Sequence, residues 1–555
     1  MRVETEAATA GRAAAPLPPA PARPRFDRYE LALLGLFAFV SLWVLGLNLW
    51  QVVAHGRVWT GTDGLYLVDQ QQYLAWIRSA SHHGLIANLF VLRPTPADYF
   101  QPAVAVSAAV TKLGVVPWLA LLLWKPVAVA MFFFAARAYL HRSLAGVWER
   151  RIALTLTLFF GCFTVVYGSF SVLGDLWPGF LSWGYVFALV ALAAIVVALI
   201  RYDTARRQGR VAWLPGVLGA LATLLHPWQG ELLILIVLGG ELMLGRASAI
   251  DRRRLANIGL TVGLTGLALL YYAILGRADT SWRLARDASR HDYPLWSLIV
   301  AVVPLLIPAV FAYRGRPASF LAAATRAWPV AVLALFFLSA SALGATPLHA
   351  FQGITIPLAV LAIEGVRRTG VLRRTPHPRL AIALAVAVVT IPTTVWELGY
   401  AIDIAAPDPQ NPTFIHHDEQ RALNYLADNP KAGGVLTRSF LGALIPASTG
   451  RRVFVGDCLW SQPHCYERVH AVRILFAGQM PAATARTFVR QSGATFLLSD
   501  CESPVDLPKL LGPGMIAGSR RFGCARVYEV DRPRPATGFL AESGADAAVR
   551  ATRRQ

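Results

Sequence analysis

Residues 62–90 read TDGLYLVDQQQYLAWIRSASHHGLIANLF and follow closely on an uninterrupted apolar run, LALLGLFAFVSLWVLGLNLWQVVA, at 31–54. A helix of that length rises about 36 Å, enough to cross a hydrocarbon core of about 30 Å. The polar stretch therefore falls at or just beyond the far membrane surface. Within it Tyr73, Trp76, Ile77 and Ala80 recur at helical spacing behind Asp69, and Gly84 supplies a stop. Asp69 then sits at a helix N-terminus, where a carboxylate is electrostatically favoured. Its two readings are an N-cap and a functional acid. Asp63, in Thr62-Asp63-Gly64, reads as a turn residue or as a second acid.

Composition points the same way. Of 555 residues 55% are hydrophobic and only 15% charged, with a mean hydropathy of +0.48, which is outside the range of soluble globular chains. The net charge of +20 suggests nucleic acid until its distribution is seen. Arginines cluster in short segments between apolar runs, around Arg142, Arg201, Arg246, Arg314 and Arg367, joined there by the acids Glu149, Asp203 and Asp251. This is the positive-inside pattern of a membrane protein and not a nucleic-acid surface.

Candidate spans are 31–54, 117–140, 151–170, 182–200, 212–226, 229–245, 256–275, 294–313, 327–344, 353–366 and 379–400. About 11 spans put the two ends on opposite sides, with the N-terminus cytoplasmic. The apolar run 102–113 reads as juxtamembrane, because counting it as a span would move Arg142, Arg150 and Arg151 to the outside. The first run is too long for a signal-peptide core. Residues 1–29, rich in Ala, Pro and Arg, read as a disordered cytoplasmic tail, and the transmembrane domain as 30–400 with its first outer loop at 55–116.

From about residue 401 the long apolar runs end. Residues 401–531 read as a small extracytoplasmic α/β domain and 532–555 as a disordered tail. Helices are expected at 416–426 and 482–491, and strands at 435–437, 453–455, 495–499 and 525–530. Four of the five cysteines, Cys458, Cys465, Cys501 and Cys524, fall here, as suits an oxidising compartment. Three pairings are open, of which Cys458 with Cys465 and Cys501 with Cys524 is favoured over the other two and over metal ligation. Cys162, inside a span, reads as packing.

Polar residues of catalytic type collect on the face opposite the arginine-rich one. Asp175, in GDLWPGFLSWG, is the one charged residue of a short outer loop, suited to assisting a reaction or to anchoring an interfacial turn. His226 and Glu231 flank a tight turn and are costly at membrane depth unless used or paired. The loop at 276–293 carries Arg283, Arg286 and Arg290 at i, i+3 and i+7, a cationic face suited to a phosphate, although Asp279, Asp287 and Asp292 dilute its charge. His349, Gln352 and Thr355 surround another outer turn. In the C-terminal part, Ser461-Gln462-Pro463-His464 follows Asp457 and Trp460 in a loop placed to touch an acceptor.

The order of an acid, a Tyr-bearing amphipathic helix, a Gly, an apolar turn and a proline-bearing segment is met here by Asp69, Tyr73, Gly84, Leu85 to Phe90 and Phe100-Gln101-Pro102. It resembles the first extracytoplasmic loop of the GT-C superfamily, membrane glycosyltransferases that take sugar from a polyprenyl-phosphate carrier. The segment TGRRVFVGD with a following helix, strand and terminal VYEV resembles the soluble C-terminal domain of bacterial proteins of that kind. The match departs at Gln70, where many members have a second acid, which makes a divalent metal ion an option and not a requirement.

The resemblance implies an α-helical polytopic membrane protein with a small C-terminal extracytoplasmic α/β domain. It implies an inverting glycosyltransferase of the plasma membrane, moving sugar from a polyprenyl-phosphate-linked donor to a glycan, lipid or protein acceptor of the cell envelope. Asp69 would be the base, supported by Asp63 or Asp175. Arg283, Arg286 and Arg290 would hold the donor phosphate, and His226, Gln352 and Tyr73 would bind substrate. Rival readings are a transporter or flippase of a lipid-linked precursor and a non-catalytic envelope scaffold. Sugar and acceptor are open.

Overall fold

The computed structural model describes residues 26–161, 166–167, 170–171, 176–245, 251–290, 292–341, 344–408 and 411–531. Expectations for the two tails, Cys162 and Asp175 fall outside the described residues. The chain is a polytopic helical membrane protein with a small C-terminal sheet. Among the described residues eight helical stretches are long and apolar enough to cross a membrane: Arg28–His55, Pro117–Ser143, Val186–Arg207, Pro227–Leu244, Arg252–Ala278, Leu295–Arg314, Phe320–Ala340 and Pro378–Ile404. The other three expected spans correspond to shorter helices, Val147–Phe159, Leu214–Leu225 and Thr355–Thr369. At about 1.5 Å per residue these rise only some 18 to 23 Å. The apolar stretch after residue 101 forms an 11-residue helix, Pro102–Lys112, too short to span and packed on the helix Leu67–His83.

The first helix opens on a capping box, with Asp27 accepting from the Glu30 N–H and Glu30 accepting from the Asp27 N–H, and ends at Gly56 in the left-handed conformation. It buries one stripe, Leu33, Phe37, Val40, Val44 and Asn48, and leaves the rest toward lipid. At the centre stands Val186–Arg207, with 89% of its apolar window buried against neighbouring helices. Several arginines of the basic face also tie helices together. Glu30 receives Arg137 at 2.8 Å and His141 at 2.5 Å. Glu241 receives Arg206 and Arg254, and Glu364 receives Arg326.

The C-terminal sheet has four strands in the order Val435–Leu436, Phe496–Ser499, Ala525–Val530, Ile516–Phe522. The first pair is parallel and the other two antiparallel. Where a strand was expected at 453–455 there is only a single bridge, Val453 to Val435. Helices Ser439–Thr449 and Cys465–Phe476 and the strand Ile516–Phe522 were not foreseen. The buried residues of Cys465–Phe476 do recur at helical spacing but include Arg468, whereas those of Ser439–Thr449 run almost without a break.

Loop one and the C-terminal part are sewn together. Val58–Trp59 pairs antiparallel with Phe414–Ile415, the Val453 N–H donates to the Leu89 carbonyl at 3.0 Å, and the Ser461 hydroxyl donates to the Phe90 carbonyl at 2.9 Å. Ser439–Thr449 lies directly on Leu67–His83.

Candidate active site

The turn before the loop-one helix is held from inside by Gln70. Its side chain accepts from the Asp63 N–H at 3.0 Å and donates to the carbonyls of Asp63, Leu65 and Trp183. The residue that stands where a second acid was sought is thus a brace, and a carboxylate could not donate those bonds. Gly64 has φ +76°, and a Cβ there would meet the Trp183 Cβ at 2.5 Å, so only glycine lets the turn approach residues 183–184 so closely. Asp63 forms an ion pair with Lys125, and the side chains are only 4% and 1% exposed. Asp63 is thus the partner of a lysine at the start of a membrane helix.

The helix begins at Leu67, with Tyr66 in the left-handed conformation as N-cap and no side-chain cap bond. Asp69 is consequently not the N-cap but lies in the first turn, half-buried, and accepts a hydrogen bond from the Tyr185 hydroxyl at 2.9 Å. Tyr185 stacks on Tyr66 with centroids 4.4 Å apart and meets the His349 ring edge-on at 5.5 Å. His349 in turn contacts His226 at 5.0 Å and Trp228 at 4.7 Å. Gln352 sits 3.1 Å from His349 Nδ1 and accepts from Gln229 at 3.2 Å. His226 and Gln352, more than a hundred residues apart in sequence, thus join one buried polar wall running back from Asp69. Within it His226 Nδ1 has no hydrogen-bond partner among the described residues.

Tyr73, one turn after Asp69, packs edge-on against Trp76 and Phe187. Burial, and then the charge of Asp69, raise its phenol well above the usual range. Trp76 opens a second wall: it meets Tyr99 at 5.0 Å and Trp460 at 5.5 Å, and Trp282 closes the cluster at 4.4 Å from Tyr99 and 4.9 Å from Trp460.

Trp282 belongs to the helix Thr280–Ala288, which carries the expected cationic face on its outer side. Arg283, Arg286 and Arg290 are all exposed. The helix stops at Ala288, so Arg290 lies beyond it and the i, i+3, i+7 face is not continuous. Asp287 draws in Arg286 at 3.3 Å and Arg290 at 3.4 Å, whereas no ion pair of Arg283 is found among the described residues. Asp175 lies outside the described residues.

The C-terminal part adds Asp457. Its side chain accepts from the Leu459 N–H at 2.7 Å and is 3% exposed, while its second oxygen, Oδ2, is buried without a hydrogen-bond partner among the described residues. Burial, and after it the negative charge of Asp69, push its carboxyl up to about 8, against the Leu459 and Trp460 N–H groups. The turn is pinned by Asn88, which donates to the Trp460 carbonyl at 3.0 Å, and by a Cys458–Cys465 disulfide with Cα atoms 5.2 Å apart. A second disulfide joins Cys501 and Cys524. Among the described residues the one cluster with metal-ligand proximity is His416, Cys501 and Cys524, and its two sulfurs are bonded to each other. A cavity of about 510 Å³ lies elsewhere, between Arg28–His55, Val147–Phe159 and Pro378–Ile404, lined by Leu33, Phe159, Val386 and their neighbours.

Sequence reading missed Tyr185 and Lys125 as site-forming residues and did not count Asp457 among the acids. Lys125 did carry a signal, since an ammonium within an apolar run requires a partner. Tyr185 carried none.

No family model matches the chain, and no curated protein does. Solved structures do. The archaeal oligosaccharyltransferase AglB from Archaeoglobus fulgidus, in complex with an inhibitory peptide and a dolichol-phosphate, superposes with a TM-score of 0.55 at 14% identity, over 91% of this chain and 74% of that one. The mycobacterial arabinofuranosyltransferase AftD gives 0.52 at 15% identity, over 92% of this chain and 40% of that one. ArnT from Cupriavidus metallidurans in the apo state gives 0.50 at 13% identity, over 90% and 96%. The chain has the fold of GT-C membrane glycosyltransferases.

Proposed function

We propose that this chain is an inverting glycosyltransferase that moves a sugar from a polyprenyl-phosphate carrier to an acceptor at the outer face of the plasma membrane. The observation that carries the reading is Asp69: a carboxylate in the first turn of a helix just beyond the first span, oriented by the Tyr185 hydroxyl and backed by a buried polar wall, in a chain of this fold. The arginine distribution supports a cytoplasmic N-terminus and an outer site.

In the step proposed, Asp69 takes the proton of the acceptor hydroxyl as that oxygen bonds to the anomeric carbon of the donor. The bond from that carbon to the phosphate oxygen breaks, and its electron pair leaves on the lipid phosphate. Arg283, with Arg286 and Arg290, meets the growing charge. Attack from the face opposite the phosphate inverts the anomeric centre. Asp63 takes no part, being consumed by Lys125.

The test is transfer in proteoliposomes from a panel of radiolabelled polyprenyl-phosphate sugars to a cell-envelope extract, with wild type beside Asp69→Asn. Transfer by wild type and none by the folded, inserted variant supports the proposal. Equal transfer by both removes Asp69 as base. No transfer from any donor moves weight to a transporter or a scaffold.

A further inference from the structure

Asp457 is a carboxyl without a task in the step above. It is almost wholly buried, held beside a disulfide-closed turn, and accepts through Oδ1 from the Leu459 N–H, with Oδ2 unpartnered among the described residues. Its turn lies against the helix that carries Asp69, Trp460 meeting Trp76 at 5.5 Å, and the negative charge of Asp69 acts on it. Leaving a buried acceptor or donor unmade destabilises the fold. A turn tied to loop one at both Asn88 and Phe90 does not relax to relieve it.

We infer that Asp457 is the second carboxyl of the Asp69 centre and holds a hydroxyl of the acceptor neighbouring the one Asp69 deprotonates, so that the acceptor is a glycan presenting paired hydroxyls. This rests on the glycosyl-transfer reading. Protonated, Asp457 donates through Oδ2 to the neighbouring hydroxyl oxygen and keeps its proton throughout. The proton released in the step goes from the attacking hydroxyl to Asp69, and from there to water. An acceptor with a single hydroxyl, such as a lipid alcohol or a serine side chain, leaves Oδ2 unmatched. A site built to hydrogen-bond a hydroxyl discriminates strongly against an analogue lacking it.

Two measurements test this separately from the function. Dicyclohexylcarbodiimide, which modifies protonated carboxyls in apolar surroundings, is applied to the full-length protein and Asp457 is followed by peptide mass mapping. Labelling is expected at pH 6.5, lost with a midpoint near pH 8, with the midpoint lowered in Asp69→Asn. No labelling at pH 6.5, including labelling that appears only after chelation of a bound cation, overturns the pairing. So does a midpoint that Asp69→Asn leaves in place. In the transfer assay, an oligosaccharide acceptor is compared with its analogue deoxygenated beside the attacking hydroxyl. Wild type is expected to favour the intact acceptor by about tenfold or more in kcat/KM, and Asp457→Ala to abolish the preference. Asp457→Asn, which retains an N–H donor and the Leu459 bond, restores part of it. A preference unchanged in Asp457→Ala overturns the acceptor role, because a structural aspartate lowers both acceptors equally. Labelling as expected with no transfer by wild type from any donor leaves the carboxyl pair standing and overturns glycosyl transfer and the acceptor role with it.

Discussion

Replacing Lys125 by Met separates scaffold from chemistry in loop one. The ammonium and the Asp63 carboxylate form a pair whose side chains are 1% and 4% exposed, at the junction of the first outer loop and a membrane helix. Removing one member of such a pair strands the other charge, at a cost of about 3–5 kcal/mol, whereas removing both together is close to neutral. Lys125→Met and Asp63→Asn are each expected to destabilise by an amount in that range. The double variant should recover most of it, so the coupling, the two single losses less the double loss, comes to about 5 kcal/mol or more, above the usual range for residues in contact. Denaturant unfolding in detergent, followed by tryptophan fluorescence, measures all four proteins. Transfer activity of the double variant should survive to the extent that the fold does. Additive losses, with coupling below about 0.5 kcal/mol, would refute the pair as a structural unit. So would an Asp63→Asn protein of full stability and no activity, which would return Asp63 to the chemistry.

Tyr185→Phe keeps the stacking on Tyr66 and removes the hydroxyl that donates to Asp69; a hydrogen bond to a charged group contributes about 1.5–3 kcal/mol, so kcat per folded molecule should fall roughly 10- to 100-fold. Asp287→Asn releases Arg286 from its ion pair and is expected to tighten donor binding, while Arg283→Ala weakens it; donor KM in low salt reads both, and the difference should shrink as salt screens these exposed charges. The raised carboxyl of Asp457 makes the folded state hold a proton that the unfolded state releases, so between about pH 4 and pH 8 this group lowers stability as pH rises. Asp457→Asn should therefore gain stability relative to wild type from pH 5 to pH 8, read by the same unfolding assay, and a constant difference across that window would refute the shift.

What the sequence displayed depended on whether each residue's task is periodic. Leu33, Phe37, Val40 and Val44 are spaced as a helix buries them, and the helical runs were readable for that reason. Three of the expected spans proved shorter than a bilayer needs, because hydropathy marks burial in protein as well as in lipid. Asp69 was legible from its place after the first span and the Tyr-bearing helix behind it. Gln70 was not, since a side chain that bonds four backbone groups looks in sequence like any exposed polar residue. The arginine face was half legible. Spacing brought Arg283 and Arg286 onto one side of a helix, but where that helix ends is decided by packing, which left Arg290 beyond it. Asp457 is more than 380 positions from Asp69, and only the fold brings them together.

That separation bears on how the site is assembled. Strand pairing of Val58–Trp59 with Phe414–Ile415, the bonds from residues 88–90 to Val453, Trp460 and Ser461, and the Trp76–Trp282–Trp460 cluster join loop one to the C-terminal part on both sides of Asp69 in the sequence. Such short-range fastening is more than a tether requires, since flexible linkage alone would keep the two parts near each other. It fixes relative position on the scale of single hydrogen bonds, the scale on which a base and an acceptor hydroxyl have to meet. The membrane helices place Tyr185 and the His226–His349 wall on one side of Asp69, and the C-terminal part places Asp457 on it from another chain segment. On the proposed reading the donor lipid is a matter for the helices and the acceptor for the seam between loop one and the C-terminal part. Substitutions at Asn88 or Ser461 should accordingly disturb acceptor KM before donor KM, although neither residue touches a reacting atom.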